Sequence, residues 1–85
     1  MSVFIGIDVS KATLDIATHC GSQHTCLPNS LAGYKRLNKW LNKQGKISQI
    51  ALEASGRYGE NVARFLVQQG YAVSYLNPKQ IHKFS

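Results

Sequence analysis

Eighty-five residues with 44% apolar content make one small globular domain, of the size that buries only about two-thirds of the surface its unfolded chain exposes. No apolar run is long enough to span a bilayer, and the N-terminus lacks the charged segment and long apolar stretch of a signal peptide, so the expected location is the cytoplasm. The balance of 10 Lys+Arg against 4 Asp+Glu, +6 overall, suits a polyanion partner such as nucleic acid and equally a merely basic soluble protein; charge alone does not separate the two.

The run Val3-Phe4-Ile5-Gly6-Ile7 is apolar at odd and even positions alike, which predicts a strand buried on both faces in the middle of a sheet. Asp8 stands at its end, where a carboxylate is costly unless it is ligated, paired or doing chemistry. A turn over 9–12 leads to a half-buried strand over 13–19. Leu14 and Ile16 point one way along it, and Thr13, Asp15 and Ala17 the other, which makes Asp15 a surface or supporting acid. A third strand over 24–27, stopped by Pro28, completes a meander. His19, Cys20, His24 and Cys26 fall within eight residues and invite a zinc reading. Their spacing is not the paired CxxC pattern, and a hairpin carrying two half-buried thiols accounts for them without metal or disulfide.

Asn29 or Ser30 caps a helix whose core stripe is Leu31, Tyr34, Leu37 and Leu41. Lys35, Arg36, Lys39 and Lys43 lie mostly outside the stripe, Trp40 borders both faces, and Gly45 is the expected stop. A fourth strand over 48–53 and a helix over 58–69 with Val62, Phe65 and Leu66 inward come next. Gly70 ends that helix, a fifth strand spans 71–76, and Asn77-Pro78 begins another helix.

A helix between strands three and four, and another between four and five, implies parallel crossovers. The α/β ribonuclease H-like arrangement, a mixed five-stranded sheet with flanking helices, satisfies this order and sets strand four beside strand one. Glu53 then ends its strand next to Asp8. The parities agree, with Phe4, Gly6 and Asp8 on one face and Gln49, Ala51 and Glu53 on one face. Gly6 and Ala51 leave room above the sheet for a close approach. Two adjacent carboxylates repel unless a cation sits between them, and Mg²⁺ or Mn²⁺ suits hard oxygen ligands acting on a phosphodiester. The competing reading is that Asp8 caps a turn and Glu53 a loop.

Gly6-Ile7-Asp8-Val9-Ser10-Lys11, then Leu52-Glu53-Ala54-Ser55-Gly56 followed by an aromatic two residues on, then Leu76-Asn77-Pro78, resembles the N-terminal region of insertion-sequence 110 type transposases with an Asp-Glu-Asp-Asp (DEDD) site. That family is related in fold to the Holliday-junction resolvase RuvC and includes pilin-gene inversion recombinases. The resemblance covers nearly the whole chain. It implies that residues 1–85 form the N-terminal portion of a RuvC-like catalytic domain, with the C-terminal part missing. Asp8 and Glu53 would be the first two members of the tetrad; the other two, and a domain bearing a serine nucleophile, would lie beyond Ser85. This chain alone is then expected to be inactive. The resemblance further implies cutting and joining of DNA at insertion-sequence ends, directed in several members by an element-encoded RNA.

Lys11, three residues past Asp8, is a candidate phosphate contact or a solvated turn lysine. Arg57, with Tyr58 at a helix start, is a candidate anion contact or a surface arginine beside a packed tyrosine. Lys35, Lys39 and Lys43 form a basic ridge at i, i+4 spacing, either solvated or touching nucleic acid. Two rival functions remain: a sugar-kinase or actin-like ATPase, weakened by the absence of glycine in Val9-Ser10-Lys11, and a non-catalytic module that binds nucleic acid or a partner protein. The sheet face carrying Phe4, Gly6 and Ala51, left bare, predicts self-association.

Overall fold

A computed structural model describes residues 3–19, 21, 23–54 and 57–76. The helix expected from Asn77-Pro78, together with His82, Cys20 and the loop at 55–56, lies outside the described residues. The elements run β1 (Val3–Val9), β2 (Thr13–Thr18), β3 (His24–Pro28), α1 (Leu31–Asn42), β4 (Ile47–Ala54), α2 (Glu60–Gln68) and β5 (Val73–Leu76). One mixed sheet has the order β3-β2-β1-β4-β5, with β1 antiparallel to β2 and parallel to β4, and β4 parallel to β5. This is the sheet that the ribonuclease H-like order predicts, with β1 at its centre.

Both helices bury their stripes against the same face of the sheet. Ile5, Ile7 and Val9 of β1, Leu14 and Ile16 of β2, Leu27 of β3, and Ile50, Leu52 and Ala54 of β4 meet Tyr34, Leu37, Leu41, Val62 and Leu66 in a single core. Among the described residues, only this face is covered. The opposite side of β1 carries Phe4, 43% exposed, half-buried Gly6 and exposed Asp8, so the strand expected to be buried twice is buried once. Hydrophobic residues on both parities made it read otherwise; Phe4 is simply apolar on an open face. Asp8 also lies inside β1 rather than past its end, because Val9 continues the ladder and packs into the core at 4% exposure.

α1 departs from its predicted stripe at one end. Ser30 caps it by accepting a bond from the Gly33 N–H, but Leu31 is 60% exposed and Gly33 takes its place in the core. The first turn sits directly on the backbone of Pro28, so close that a Cβ at Gly33 would fall 1.8 Å from the Pro28 carbonyl oxygen. That approach turns Leu31 outward. The helix ends at Asn42 with Lys43 as its C-cap, and Gly45, at φ +84°, belongs to the turn beyond. α2 matches its expected stripe, with Val62 and Leu66 buried and Phe65 packed beside them.

Two polar fastenings tie the layers together. The Tyr71 hydroxyl reaches Asn38 and Asn42 on α1, with Oδ1 atoms 3.1 and 3.3 Å away. Asn29 donates from Nδ2 to the carbonyls of Ser10 (2.9 Å) and Tyr58 (3.0 Å), while its Oδ1 accepts from the Tyr34 hydroxyl. It thus pins the turn after β1 to the approach to α2.

Candidate functional site

The site is built by register. In the parallel pair, Phe4, Gly6 and Asp8 of β1 stand beside Gln49, Ala51 and Glu53 of β4. In the antiparallel pair, Asp8 faces Asp15 of β2. Asp15 in turn faces Cys26 of β3, and Glu53 faces Leu76 of β5. One row across all five strands therefore reads Cys26, Asp15, Asp8, Glu53, Leu76, near the C-terminal ends of the three parallel strands. Carboxyl ends of central strands are where ligands of open α/β sheets collect.

A shallow depression of about 370 Å³ lies over this row, lined by Gly6, Asp8, Asp15, Ala17, His24, Ala51, Glu53 and Leu76 among others. Its floor is made of small residues. A Cβ at Gly6 would touch nothing within 4 Å, so the surface beside the acids is open to a ligand. Asp8, Asp15 and Glu53 are all exposed. Adjacent strands are about 4.8 Å apart, and like charges directly opposite each other destabilise a sheet. Neither the Asp8 nor the Glu53 carboxylate has a hydrogen-bond or ion-pair partner among the described residues. Asp15 does have neighbours: His24 Nε2 is 3.8 Å from its Oδ1, and Cys26 stands opposite it on β3. Desolvation, followed by the nearby Asp15 carboxylate, pushes the Cys26 thiol above its ordinary range.

As they stand, no three His, Cys, Asp or Glu side chains among the described residues form a ready-made metal cage. The donor set of Asp8 and Glu53 nevertheless fits a hard divalent ion, which binds through one or two carboxylates and keeps several waters. Of the zinc pattern at 19–26, Cys20 lies outside the described residues, and Cys26 is exposed on the open face beside Asp15 rather than half-buried in a hairpin.

The remaining candidates are spread out. Lys11 is exposed at the tip of the 10–13 turn, where Ser10 N–H donates to the Thr13 carbonyl at 2.9 Å, and it does not line the depression. Arg57 is exposed before α2 and does not line it either; Tyr58, expected to be packed, is 45% exposed. Lys35, Lys39 and Lys43 are exposed on α1, on the covered side of the sheet and away from the acids. Asp15, expected as a surface or supporting acid, stands in the acid row itself. The two-residue loop Lys11-Ala12 held the signal: each step back from Ser10 matches a step forward from Thr13, so Val9 meets Leu14 and Asp8 meets Asp15.

Fold and site together define an α/β domain of ribonuclease H-like order that presents carboxylates on the open face of its central strands. A family model described as a transposase, of the DEDD insertion-sequence 110 type, matches residues 5–85, and the chain belongs to that family. It is 30% identical over 87 residues to a pilin gene-inverting protein of Moraxella lacunata and 29% identical to one of Moraxella bovis; each match covers 96% of this chain and 27% of the relative. The chain thus spans about a quarter of the length of these curated relatives. Among solved structures, the PPX-GPPA enzyme of Aquifex aeolicus superposes with a TM-score of 0.52 at 18% identity, covering 93% of this chain and 37% of that one, a likeness of fold alone. The ATPase alternative gains nothing from it. Among the described residues, no helix is long and apolar enough to cross a membrane.

Proposed function

We propose that this domain contributes Asp8 and Glu53 to a divalent-metal site with which a longer transposase or recombinase cuts and rejoins DNA phosphodiesters. The observation that carries the reading is the in-register placement of the two carboxylates on the open face of adjacent parallel strands, without a cationic partner among the described residues. Membership of a DEDD transposase family supports divalent-metal dependence in general, with DNA as the partner; magnesium is the finer reading, with manganese as its substitute. When bound, such an ion activates the attacking oxygen and stabilises the leaving one. This chain's own part is to hold the ion between Asp8 and Glu53, and to keep bulk away through Gly6 and Ala51 so that a phosphate can approach the sheet. Asp15, on the far side of Asp8, stands between Asp8 and Cys26 with His24 beside it, and is a neighbour rather than a ligand in this reading. An element-encoded guide RNA and self-association through the open face, where Phe4 and Leu76 are exposed, belong to the same proposal.

Calorimetric titration with Mn²⁺ tests it. The chain should bind weakly, and Asp8→Asn and Glu53→Gln should each abolish the heat. Equal binding by the parent and both variants overturns the assignment.

A further inference from the structure

The charges of this domain are segregated. No Asp or Glu occurs between Ile16 and Leu52, whereas that stretch holds Lys35, Arg36, Lys39, Lys43 and Lys46. On the helix-covered side of the sheet, α1 and edge strand β3 leave a groove of about 320 Å³ lined by Thr25, Leu27, Arg36, Lys39, Trp40 and Lys43. The ridge expected at Lys35, Lys39 and Lys43 is thus re-drawn. Lys35 does not line the groove, and Arg36 and Trp40 do.

We infer that this groove is a binding site for single-stranded nucleic acid, separate from the acid row on the opposite face. Arg36, Lys39 and Lys43 follow one another at i, i+3 and i+7, which spreads three cations over about 10 Å of helix. A phosphate backbone offers charges at comparable spacing, and no acid in the lining opposes it. Trp40 sits among these cations, half-buried and packed against the core. An indole held in this way is a rigid platform on which an unpaired base stacks, whereas the bases of a duplex are already stacked on one another. A solvated lysine face needs no aromatic in its midst, and a protein partner recognised by charge alone needs none either. The inference takes its partner class from the proposed function but does not depend on the metal site.

Trp40 is the sole tryptophan, so its fluorescence reports on the groove directly. The 85-residue chain is titrated with twelve-nucleotide oligo-dT and oligo-U, with a duplex of equal length, and with heparin. Either single strand should quench Trp40, and the affinity should fall with salt along a log–log slope of about −2 for three phosphate contacts. Replacing Arg36, Lys39 and Lys43 by Gln should weaken binding at low salt at least tenfold and flatten that slope. Trp40→Phe, with circular dichroism as the fold control and anisotropy of a labelled strand as the readout, should weaken binding with the slope unchanged. Asp8→Asn should leave all of this intact, so failure of the metal site and failure of the groove are read separately. The DNA and RNA arms show which strand the groove takes. Duplex binding as tight as single-strand binding, or heparin and oligonucleotides acting alike without quenching, overturns the inference.

Discussion

Asp8 and Glu53 lie opposite each other in the parallel register of β1 and β4, and Asp15 lies opposite Asp8 on its other side. Three of the chain's 4 acidic residues thus stand in one line across the sheet, although Glu53 is far from the other two in sequence. Such a line carries a stability cost in the absence of a cation, because like charges opposed across strands repel.

That cost is measurable. In metal-free buffer at low salt, Asp8→Asn should stabilise the domain, by about 0.2–1 kcal/mol from relief of cross-strand repulsion. Urea denaturation of the parent and the variant gives the number. A variant less stable than the parent would show that the Asp8 carboxylate is held by favourable contacts.

Desolvation and then Asp15 act on the Cys26 thiol. Desolvation and the Asp15 carboxylate both disfavour the Cys26 thiolate, so the thiol keeps its proton to higher pH than an ordinary cysteine. In a Cys20→Ser background, iodoacetamide labelling of Cys26 should accelerate only at pH above the ordinary thiol range. Asp15→Asn should shift that rise to lower pH, since removal of a negative neighbour favours the thiolate. An unmoved profile would separate the two residues.

Gly33 is fixed by contact rather than by backbone conformation. A methyl there would overlap the Pro28 carbonyl, which is backbone and cannot swing aside. Gly33→Ala should therefore destabilise the domain by about 1–3 kcal/mol, despite alanine's better helix propensity. Gly6→Ala, at an open position, serves as the contrast and should change stability little. Thermal melts of the two variants should separate clearly.

Asn29 holds the turn after β1 and the entry to α2 in one grip through Ser10 and Tyr58. Asn29→Ala removes two donated bonds and leaves the Tyr34 hydroxyl without its acceptor, a loss of about 1–3 kcal/mol. Amide exchange should rise first at Ser10 and Tyr58. Uniform exchange throughout the chain would mean that the grip is global.

Much of this is legible in the amino-acid sequence. The parity of Gly6 and Asp8 and of Ala51 and Glu53, joined to the crossover rule, gave the pairing at the heart of the site. Tyr34, Leu37 and Leu41 announced their helix face by spacing alone. The misreadings have local causes. Leu31 fits the stripe arithmetically, but the contact between Gly33 and Pro28 sets where the first turn sits, and periodicity does not carry that distance. Phe4 made β1 look doubly buried because an apolar residue on an open face is indistinguishable in sequence from one in the core. The groove at Trp40 was hidden for another reason. It is formed by α1 together with an edge strand, and helical spacing of lysines says nothing about what lies beside them.

The central claim, that Asp8 and Glu53 share one divalent ion, is tested most directly by Mn²⁺ line broadening in the nitrogen–proton spectrum of the chain. Paramagnetic broadening should centre on the amides flanking Asp8 and Glu53, spare those of α1, and vanish in the Asp8→Asn, Glu53→Gln double variant. Broadening that persists in the double variant, or that centres away from the β1–β4 pair, would contradict the account.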